Sequence, residues 1–212
     1  LIHDDLPCMD DDTLRRGKPT SHVVFGEWMA TLAGDALQAA AFELVMTSAL
    51  PPQTVVKMGA LLARAAGRQG MCLGQVMDMK GEGRSLSLDE LLTVHRYKTA
   101  ALLIAAAQFG VLAAGGSDAQ LESAGRYACH LGLAYQIIDD VLDATAATET
   151  LGKTAGKDKK SEKTTFLTLM SVDDARRAAA GETEKAVAAL RGGFEKTGFL
   201  EALAASLVER KY

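Results

Sequence analysis

Proline is absent from the whole of this chain after Pro52. The four prolines all precede residue 53, and the remainder is rich in Ala, Leu, Met, Lys, Glu and Gln but poor in aromatic residues. Proline is the strongest breaker of α-helices, so its absence permits long helices. β-strands favour alternating β-branched and aromatic residues, which this stretch lacks. The sequence therefore predicts an all-α protein.

Prolines, glycines and capping residues divide the chain into predicted helices. We expect one helix over roughly 25–47, before Pro51-Pro52, and a second from about Thr54 to Gly81. Ser87 is typical of a capped helix start, because acidic residues follow it in the first turn. These signals predict a bundle of several helices rather than one long rod.

Two later segments carry further expectations. The polar, glycine-containing segment 145–165 shows little helical periodicity, and a loop of this length in a compact domain is typically functional or disordered. Segment 102–114 is apolar on more than one face. Such a helix is expected at the centre of the molecule or at a subunit contact, which predicts a homodimer.

Length, charge and cysteine content limit the class of protein. A chain of 212 residues predicts a single domain over 1–212. The net charge of -4 argues against a nucleic-acid partner, and no uncharged apolar run reaches the roughly 18 residues of a membrane span. Three widely separated cysteines predict neither a disulfide framework nor a zinc ribbon. We therefore expect a cytoplasmic protein without an integral membrane segment.

The strongest chemical signal is the segment Gln136–Asp143, here called the second acidic motif. Asp139, Asp140 and Asp143 interrupt an otherwise apolar helical segment. At about 100° per residue, Asp139 and Asp143 lie only about 40° apart on one face, with Asp140 beside them. Three adjacent carboxylates repel one another and resist burial, and Mg²⁺ bound to a phosphate would neutralise them. A solvated acidic stripe would explain the same pattern.

The segment Asp4–Asp12, here called the first acidic motif, carries five aspartates, and two arginines follow it closely. Pro7 should end or kink a helix bearing Asp4 and Asp5, so that Asp10 returns from the adjoining turn. Carboxylates can hold metal ions, the metals a polyphosphate, and arginines its remaining oxygens. A surface loop with mutual salt bridges is the alternative.

In their order along the chain, these motifs resemble those of the trans-isoprenyl diphosphate synthases, the short-chain prenyltransferases that make farnesyl and geranylgeranyl diphosphate. The resemblance implies an isoprenoid-synthase-type helical bundle around a central apolar cavity. It also implies that the N-terminal helices of the family, which bind part of isopentenyl diphosphate, are absent from this chain. The other segments similar to the family are Leu14–Thr20, Gly74–Asp78, Tyr97–Thr99, Gly152-Lys153 and Lys163-Thr164.

The resemblance implies roles for individual residues. Several Mg²⁺ ions bridging the allylic diphosphate would be held by Asp4, Asp5, Asp10, Asp139, Asp140 and Asp143. The substrate diphosphates would be bound by Arg15, Arg16, Gln75, Lys98, Lys153 and Lys163, with Arg16 gripping isopentenyl diphosphate. The allylic cation would be steadied by Lys98, Thr99 and Gln136. Gln75 and Asp78 have an alternative reading as a hydrogen-bonded pair one helical turn apart.

The implied reaction is Mg²⁺-assisted ionisation of dimethylallyl or geranyl diphosphate, followed by attack of isopentenyl diphosphate. Farnesyl diphosphate is the favoured product, on the spacing within the first acidic motif and on segment 74–83. Segment 151–158 and Lys163 favour geranylgeranyl diphosphate instead. The residues that usually set product length lie four and five positions before Asp4, and therefore before Leu1.

Two other functions remain open at this point. A class I terpene cyclase also uses an aspartate-rich motif, but it normally replaces the second one with an Asn, Ser and Glu pattern. A non-catalytic partner subunit of another synthase often loses one acidic motif, whereas both are present here.

Overall fold

A computed structural model describes residues 1–145 and 163–210 of the chain. These residues form helices joined by short turns, together with one small hairpin, and the all-α prediction is confirmed. The hairpin pairs β1 (Leu14–Arg15) with β2 (Lys18–Pro19). The helices are α1 (Ser21–Phe25), α2 (Glu27–Met46), α3 (Pro52–Ala66), α4 (Met71–Gly81), α5 (Leu88–His95), α6 (Ala101–Ala113), α7 (Asp118–Thr145), α8 (Phe166–Leu169), α9 (Val172–Arg191) and α10 (Gly198–Glu209). A single π-helical turn, Arg96–Ala100, joins α5 to α6.

The long helix α7 forms the centre of the bundle. It contacts α5, α6, α8, α9, α10 and the π-helical turn. Its residues Ile137, Ile138 and Val141 are almost fully buried and pack with Phe166 of α8 and with alanines of α9. Burial of so much apolar surface is the main stabilising contribution, at roughly 25 cal/mol per Å². The second acidic motif therefore lies on the central helix of the described bundle.

The predicted helix start at Ser87 is confirmed. The Ser87 hydroxyl accepts a hydrogen bond from the backbone N–H of Glu90 (3.3 Å), and the Glu90 carboxylate accepts one from the backbone N–H of Ser87 (2.8 Å). This reciprocal pair satisfies two backbone donors that the first turn of a helix leaves without partners. It fixes the beginning of α5, the helix that leads into the π-helical turn.

The predicted single helix from Thr54 to Gly81 is wrong, because the chain breaks between α3 and α4. Gly67 and Gly70 form the break, where the Gly70 N–H donates to the Gly67 carbonyl (3.0 Å). A Cβ atom at Gly70 would overlap the carbonyl oxygen of Ala65, so only glycine permits this sharp turn.

The hairpin was not anticipated from the sequence. Arg16 and Gly17 occupy its two-residue turn with φ angles of 54° and 74°. Positive φ at both central positions suits the twist of a two-residue hairpin. The turn directs Arg15 towards the first acidic motif and leaves Arg16 exposed at the tip.

The first acidic motif lies in consecutive turns rather than at the end of a helix. The backbone N–H of Asp10 donates to the carbonyl of Asp4 (2.9 Å), and that of Asp12 donates to the carbonyl of Asp5 (3.1 Å). Asp4 and Asp5 are thus not helical in the described chain, contrary to the sequence analysis. Asp10 nevertheless returns beside Asp4, as the sequence analysis expected.

Most of the predicted loop 145–165, including Lys153, lies outside the described residues. The central apolar cavity and the organisation of the chain as a single domain remain predictions from the sequence. Within residues 1–145 and 163–210, no helix combines the length and apolar character needed to cross a membrane.

Candidate functional site

The side chains of Asp4 and Asp10 meet at a common lysine. Lys98 Nζ lies 3.7 Å from Asp4 Oδ1 and 4.0 Å from Asp10 Oδ2. Gln75 Nε2 also donates to Asp4 Oδ1 (2.7 Å). Both carboxylates are partly exposed, at 24% and 18% of their side-chain surface, so solvent and ligands can reach them. This pair forms the accessible part of the first acidic motif.

Asp5 has a different environment from Asp4 and Asp10. It is 4% exposed, and its Oδ1 accepts hydrogen bonds from both Nε (3.1 Å) and Nη2 of Arg15. Arg15 Nη2 also lies 3.4 Å from Asp12 Oδ2. Burial disfavours the Arg15 cation, but the hydrogen bond and charge of Asp5 outweigh it, so the pKa of Arg15 is raised. Asp5 is therefore placed to orient Arg15.

Asp78 holds two lysines together, and we call Lys98, Asp78 and Lys163 the lysine–aspartate cluster. Asp78 Oδ2 lies 2.8 Å from Lys98 Nζ and 3.2 Å from Lys163 Nζ. Lys163 Nζ also donates to Asp10 Oδ1 (2.8 Å). Burial opposes the charged form of Asp78, but the two lysines outweigh it and lower its pKa. Two ammonium groups are thus concentrated beside the accessible aspartates.

Charge on these lysines is stabilised despite their burial. Loss of water around Lys98 and Lys163 disfavours the cation, yet the nearby carboxylates of Asp78 and Asp10 raise the pKa of both lysines. Both ammonium groups therefore remain charged across the physiological pH range. A pair of fixed positive charges of this kind is suited to binding an anion such as a diphosphate.

The second acidic motif is joined to the same place through Thr99, which follows Lys98 in the π-helical turn. Thr99 Oγ1 donates to Gln136 Oε1 (3.1 Å), and Gln136 Nε2 donates to Asp140 Oδ1 (3.2 Å). The backbone N–H of Phe166 donates to Asp140 Oδ2 (2.8 Å). Asp140 is 7% exposed and both its oxygens are engaged. Like Asp5, Asp140 is therefore buried, and its carboxylate accepts hydrogen bonds from the protein itself.

Asp139 and Asp143 differ from Asp140 in being only partly buried. Their separation of four residues on α7 places them on one helical face, in agreement with the sequence analysis. Asp139 Oδ1 accepts a hydrogen bond from Arg210 Nη2 (3.2 Å). This accessible pair is the counterpart, on α7, of Asp4 and Asp10.

His95 lies near both the lysine–aspartate cluster and the second acidic motif. Its ring is 8% exposed and stacks on Phe166, with the ring centroids 5.3 Å apart. The charges of Asp78, on α4, and Asp139, on α7, both act on this one ring. The π-helical turn therefore stands between the lysine–aspartate cluster and the second acidic motif.

Mg²⁺ is the metal that these residues suit, because the accessible side chains offer only carboxylate oxygens. Asp4 and Asp10 share one cationic neighbour, which places two carboxylates close together. In residues 1–145 and 163–210, no three His, Cys, Asp or Glu side chains converge on one point as a closed metal cage would require. The arrangement instead suits ions that complete their coordination with water and phosphate oxygens.

Close packing of α4 against the π-helical turn depends on Gly74. A Cβ atom at Gly74 would overlap the backbone nitrogen of Lys98, and one at Gly132 of α7 would lie 2.9 Å from the Cβ of Ala100. The turn is therefore held tightly between two helices, each of which presents a glycine to it. This packing brings Gln75 and Asp78 within reach of the first acidic motif and of Lys98.

We predict that Gly74→Ala lowers the free energy of unfolding by about 1–3 kcal/mol, because the added methyl group forces α4 away from Lys98. Urea denaturation measures the change. The matched control is Gly110→Ala on α6, where a Cβ meets nothing within 4 Å. That variant should gain about 0.5–1 kcal/mol, since alanine is the better helix former. Equal stability of the two variants would contradict the proposed packing.

His95 predicts a pH dependence of stability. Burial, reinforced by the charge of Lys98 and opposed by Asp78 and Asp139, lowers its pKa from 6.5 to about 4. His95 is therefore protonated below about pH 6.5 in the unfolded chain but only below about pH 4 in the folded chain. The free energy of unfolding should fall by about 2 kcal/mol between pH 7 and pH 5 through this group.

Urea denaturation of wild type and His95→Phe at the two pH values tests this prediction. Phenylalanine preserves the stacking on Phe166, and the ring nitrogens of His95 have no hydrogen-bond partner to lose within the described part of the chain. The variant should lose about 2 kcal/mol of the pH dependence, whereas His3→Gln, at a partly exposed site, should retain it. An unchanged pH dependence in His95→Phe would refute the assignment.

The structure brings together most of the residues that the sequence analysis selected. Lys98 and Lys163 lie with Asp10, Thr99 with Gln136, and Gln75 with Asp4. Arg16 lies apart at the hairpin tip, and Lys153 lies outside the described residues. His95 and Arg210 were missed. The helical spacing of Leu91, Val94 and His95 could have predicted that His95 faces the core. No pattern of neighbouring residues could have predicted the contact of Arg210 with Asp139.

Comparisons with known proteins agree with this geometry. The family model described as Polyprenyl synthetase matches residues 1–203. The chain is 46% identical over 195 residues to the chloroplastic geranylgeranyl pyrophosphate synthase of Capsicum annuum, covering 91% of this chain and 53% of that protein. It is also 46% identical over 194 residues to the farnesyl diphosphate synthase of Geobacillus stearothermophilus, covering 90% of this chain and 65% of that protein. The chain thus spans between about half and two thirds of the length of these two relatives.

A solved structure extends the agreement to the fold. The geranyltransferase of Helicobacter pylori, in complex with magnesium and isoprenyl diphosphate, superposes with a TM-score of 0.86 at 33% identity. The match covers 98% of this chain and 68% of that one. From its sequence, its fold and the family model, the chain belongs to the polyprenyl synthetase family.

Proposed function

We propose that this protein is a short-chain trans-prenyltransferase that joins isopentenyl diphosphate to dimethylallyl or geranyl diphosphate. The observation that carries the proposal is the placement of two consecutive residues in the π-helical turn. Lys98 reaches Asp4, Asp10 and Asp78, while Thr99 bonds Gln136 of the second acidic motif. A single turn of chain thus presents a cation and a hydroxyl dipole between two groups of carboxylates.

Cationic side chains would bind the diphosphate of the allylic substrate. Lys98, Lys163 and Arg15 all lie beside the first acidic motif, and Lys153 is proposed to join them. As the allylic C–O bond breaks, its electron pair leaves with the diphosphate. The developing negative charge is stabilised by cations that are already in position before the reaction.

The allylic cation would be stabilised by neutral dipoles rather than by a nucleophile. The Thr99 hydroxyl, the Gln136 amide and the carbonyl of Lys98 are the groups proposed for this role. The double bond of isopentenyl diphosphate attacks the allylic carbon and forms the new C–C bond. A proton then leaves the resulting cation for the released diphosphate, which balances the reaction.

We propose that the accessible carboxylates of Asp4, Asp10, Asp139 and Asp143 hold Mg²⁺. When bound, Mg²⁺ withdraws electron density from the diphosphate and so favours its departure. Asp5 and Asp140, also predicted from the sequence as ligands, are better suited by their burial to position Arg15 and Gln136. Support for the metal comes from the Helicobacter pylori relative, whose structure contains magnesium and isoprenyl diphosphate.

Farnesyl diphosphate is the product we propose, with geranylgeranyl diphosphate as the alternative. The two named curated relatives, one of each kind, are equally identical to this chain. The spacing of the first acidic motif and segment 74–83 support the shorter product. Segment 151–158 and Lys163 support the longer one.

Product analysis tests the proposal directly. The protein is incubated with labelled isopentenyl diphosphate, Mg²⁺ and either dimethylallyl or geranyl diphosphate, and the products are separated by chromatography. A fifteen-carbon product confirms the proposal, and a twenty-carbon product supports the alternative. Absence of any elongated product, in a protein shown to be folded, would favour a non-catalytic partner subunit.

Three broader expectations also remain proposals: a single catalytic domain over 1–212, a homodimer and a cytoplasmic location. The homodimer was inferred from segment 102–114, and Leu102 and Leu103 of α6 are 36% and 37% exposed. Larger apolar exposure occurs on α1 and α2, where Phe25 and Trp28 are each 65% exposed. These surfaces support an additional contact without identifying its partner.

A further inference from the structure

The C-terminal helix α10 runs alongside α7 and ends at the second acidic motif. Near its start, Tyr127 Oη on α7 donates to the carbonyl of Leu200 (2.9 Å). Near its end, Leu207 and Val208 pack against the two apolar clusters that include α7 residues. This anchoring fixes where the residue after α10, Arg210, can reach.

Arg210 makes three contacts with one turn of α7. Its Nη2 donates to the carbonyl oxygen of Tyr135 (3.2 Å) and to Asp139 Oδ1 (3.2 Å). Its guanidinium carbon lies 3.9 Å from the centre of the Tyr135 ring. Stacking on an aromatic face and a planar fork of donors together fix the orientation of a guanidinium group. These contacts distinguish Arg210 from an ordinary surface ion pair.

Burial supports the same conclusion. The Arg210 side chain is 17% exposed, and its Nε is buried without a hydrogen-bond partner among the described residues. A buried donor without a partner is unfavourable, so stacking and the Asp139 contact must outweigh its cost. The positive charge of Arg210 is therefore held beside Asp139 despite the unfavourable free energy of the buried Nε donor.

A guanidinium group and a divalent cation cannot share Asp139 Oδ1 without cost. Both need the same carboxylate lone pairs, and their like charges repel at such short range. We infer that Arg210 is an internal counter-ion that competes with divalent metal for Asp139, and so sets the metal affinity of the second acidic motif. The inference rests on the proposed metal-binding role of Asp139.

Release of Arg210 needs little rearrangement. It follows the last residue of α10, so rotation of its side chain removes the contact between Nη2 and Asp139 Oδ1 without moving the helix. Its stacking on Tyr135 can persist while the Nη2 contact is lost. Metal binding thus exchanges one cation for another at a carboxylate that lies beside those of Asp140 and Asp143.

Direct metal binding tests the inference without relying on turnover. Mn²⁺ serves as the probe, and free Mn²⁺ is measured by electron paramagnetic resonance during titration of wild type, Arg210→Gln and Arg210→Lys. We expect Arg210→Gln to bind Mn²⁺ about five- to tenfold more tightly. Arg210→Lys, which keeps the charge but loses the fork and the stack, should lie between the two.

The controls separate this inference from the proposed function. Arg177→Gln removes an exposed arginine on α9 and should leave Mn²⁺ affinity unchanged. Asp139→Asn should weaken Mn²⁺ binding and abolish the effect of Arg210→Gln in the double variant. Circular dichroism verifies that each variant is folded.

Each outcome decides a specific point. If Asp139→Asn weakens binding but Arg210→Gln leaves it unchanged or weaker, competition is refuted while the metal site stands. If Asp139→Asn leaves binding unchanged, the metal role of Asp139 and the inference fail together. Tighter binding in Arg210→Gln that persists in the double variant would also refute competition at Asp139.

Discussion

Replacement of Lys98 by methionine is expected to lower kcat/KM by about 10²–10³-fold. Methionine has nearly the same length and apolar character as the lysine stem, but it removes the charge that faces Asp4, Asp10 and Asp78. Removal of one preorganised group that stabilises developing charge typically costs this much in rate. Steady-state kinetics with geranyl diphosphate and isopentenyl diphosphate measure the effect.

Lys80→Met is the matched control for this prediction. Lys80 lies on α4 near the cluster in sequence but is exposed. It should retain the activity of the wild type, and urea denaturation should show that both variants are folded. A Lys98→Met variant that kept more than about a tenth of wild-type kcat/KM would exclude Lys98 from the diphosphate site.

Replacement of Asp140 by alanine is expected to lower the free energy of unfolding by about 3 kcal/mol. The change leaves the backbone N–H of Phe166 and the amide of Gln136 without their acceptor in a buried environment. A buried donor left unsatisfied costs about 1–3 kcal/mol. Turnover should fall as well, because Gln136 loses the partner that orients it.

Asp139→Ala is the informative comparison, because it changes the neighbouring residue of the same motif. Asp139 is 30% exposed, so water can replace contacts that its loss removes, and the variant should lose less stability than Asp140→Ala. Mg²⁺-dependent turnover should nevertheless be lost. Urea denaturation of the two variants would contradict this division of roles if Asp140→Ala were as stable as Asp139→Ala.

Local sequence patterns were sufficient for the helices and for part of the site. The spacing of Asp139 and Asp143 predicted a shared face of α7, and Ser87 predicted a capped helix start; the structure has both. The turn at Pro7 predicted the return of Asp10 to Asp4. Each of these inferences depends only on residues close together in the chain.

Distinctions that depend on tertiary contacts could not be predicted in this way. Asp5 and Asp10 are the same residue type in the same motif, but only Asp5 is buried against Arg15. The break between α3 and α4 arises from close backbone packing at Gly70, which no periodicity reveals. Arg210 meets Asp139 across 71 positions of sequence, so only the folded chain brings them together.

The π-helical turn has a consequence for how this protein can vary between species. Its backbone hydrogen bonds span one more residue than those of an α-helix, and within it Lys98 contacts Asp78 of α4 while Thr99 contacts Gln136 of α7. Loss of a single residue there would rotate the rest of the segment by about 100° and turn either Lys98 or Thr99 away from its partners. Amino-acid exchanges should therefore accumulate in this region far more readily than insertions or deletions.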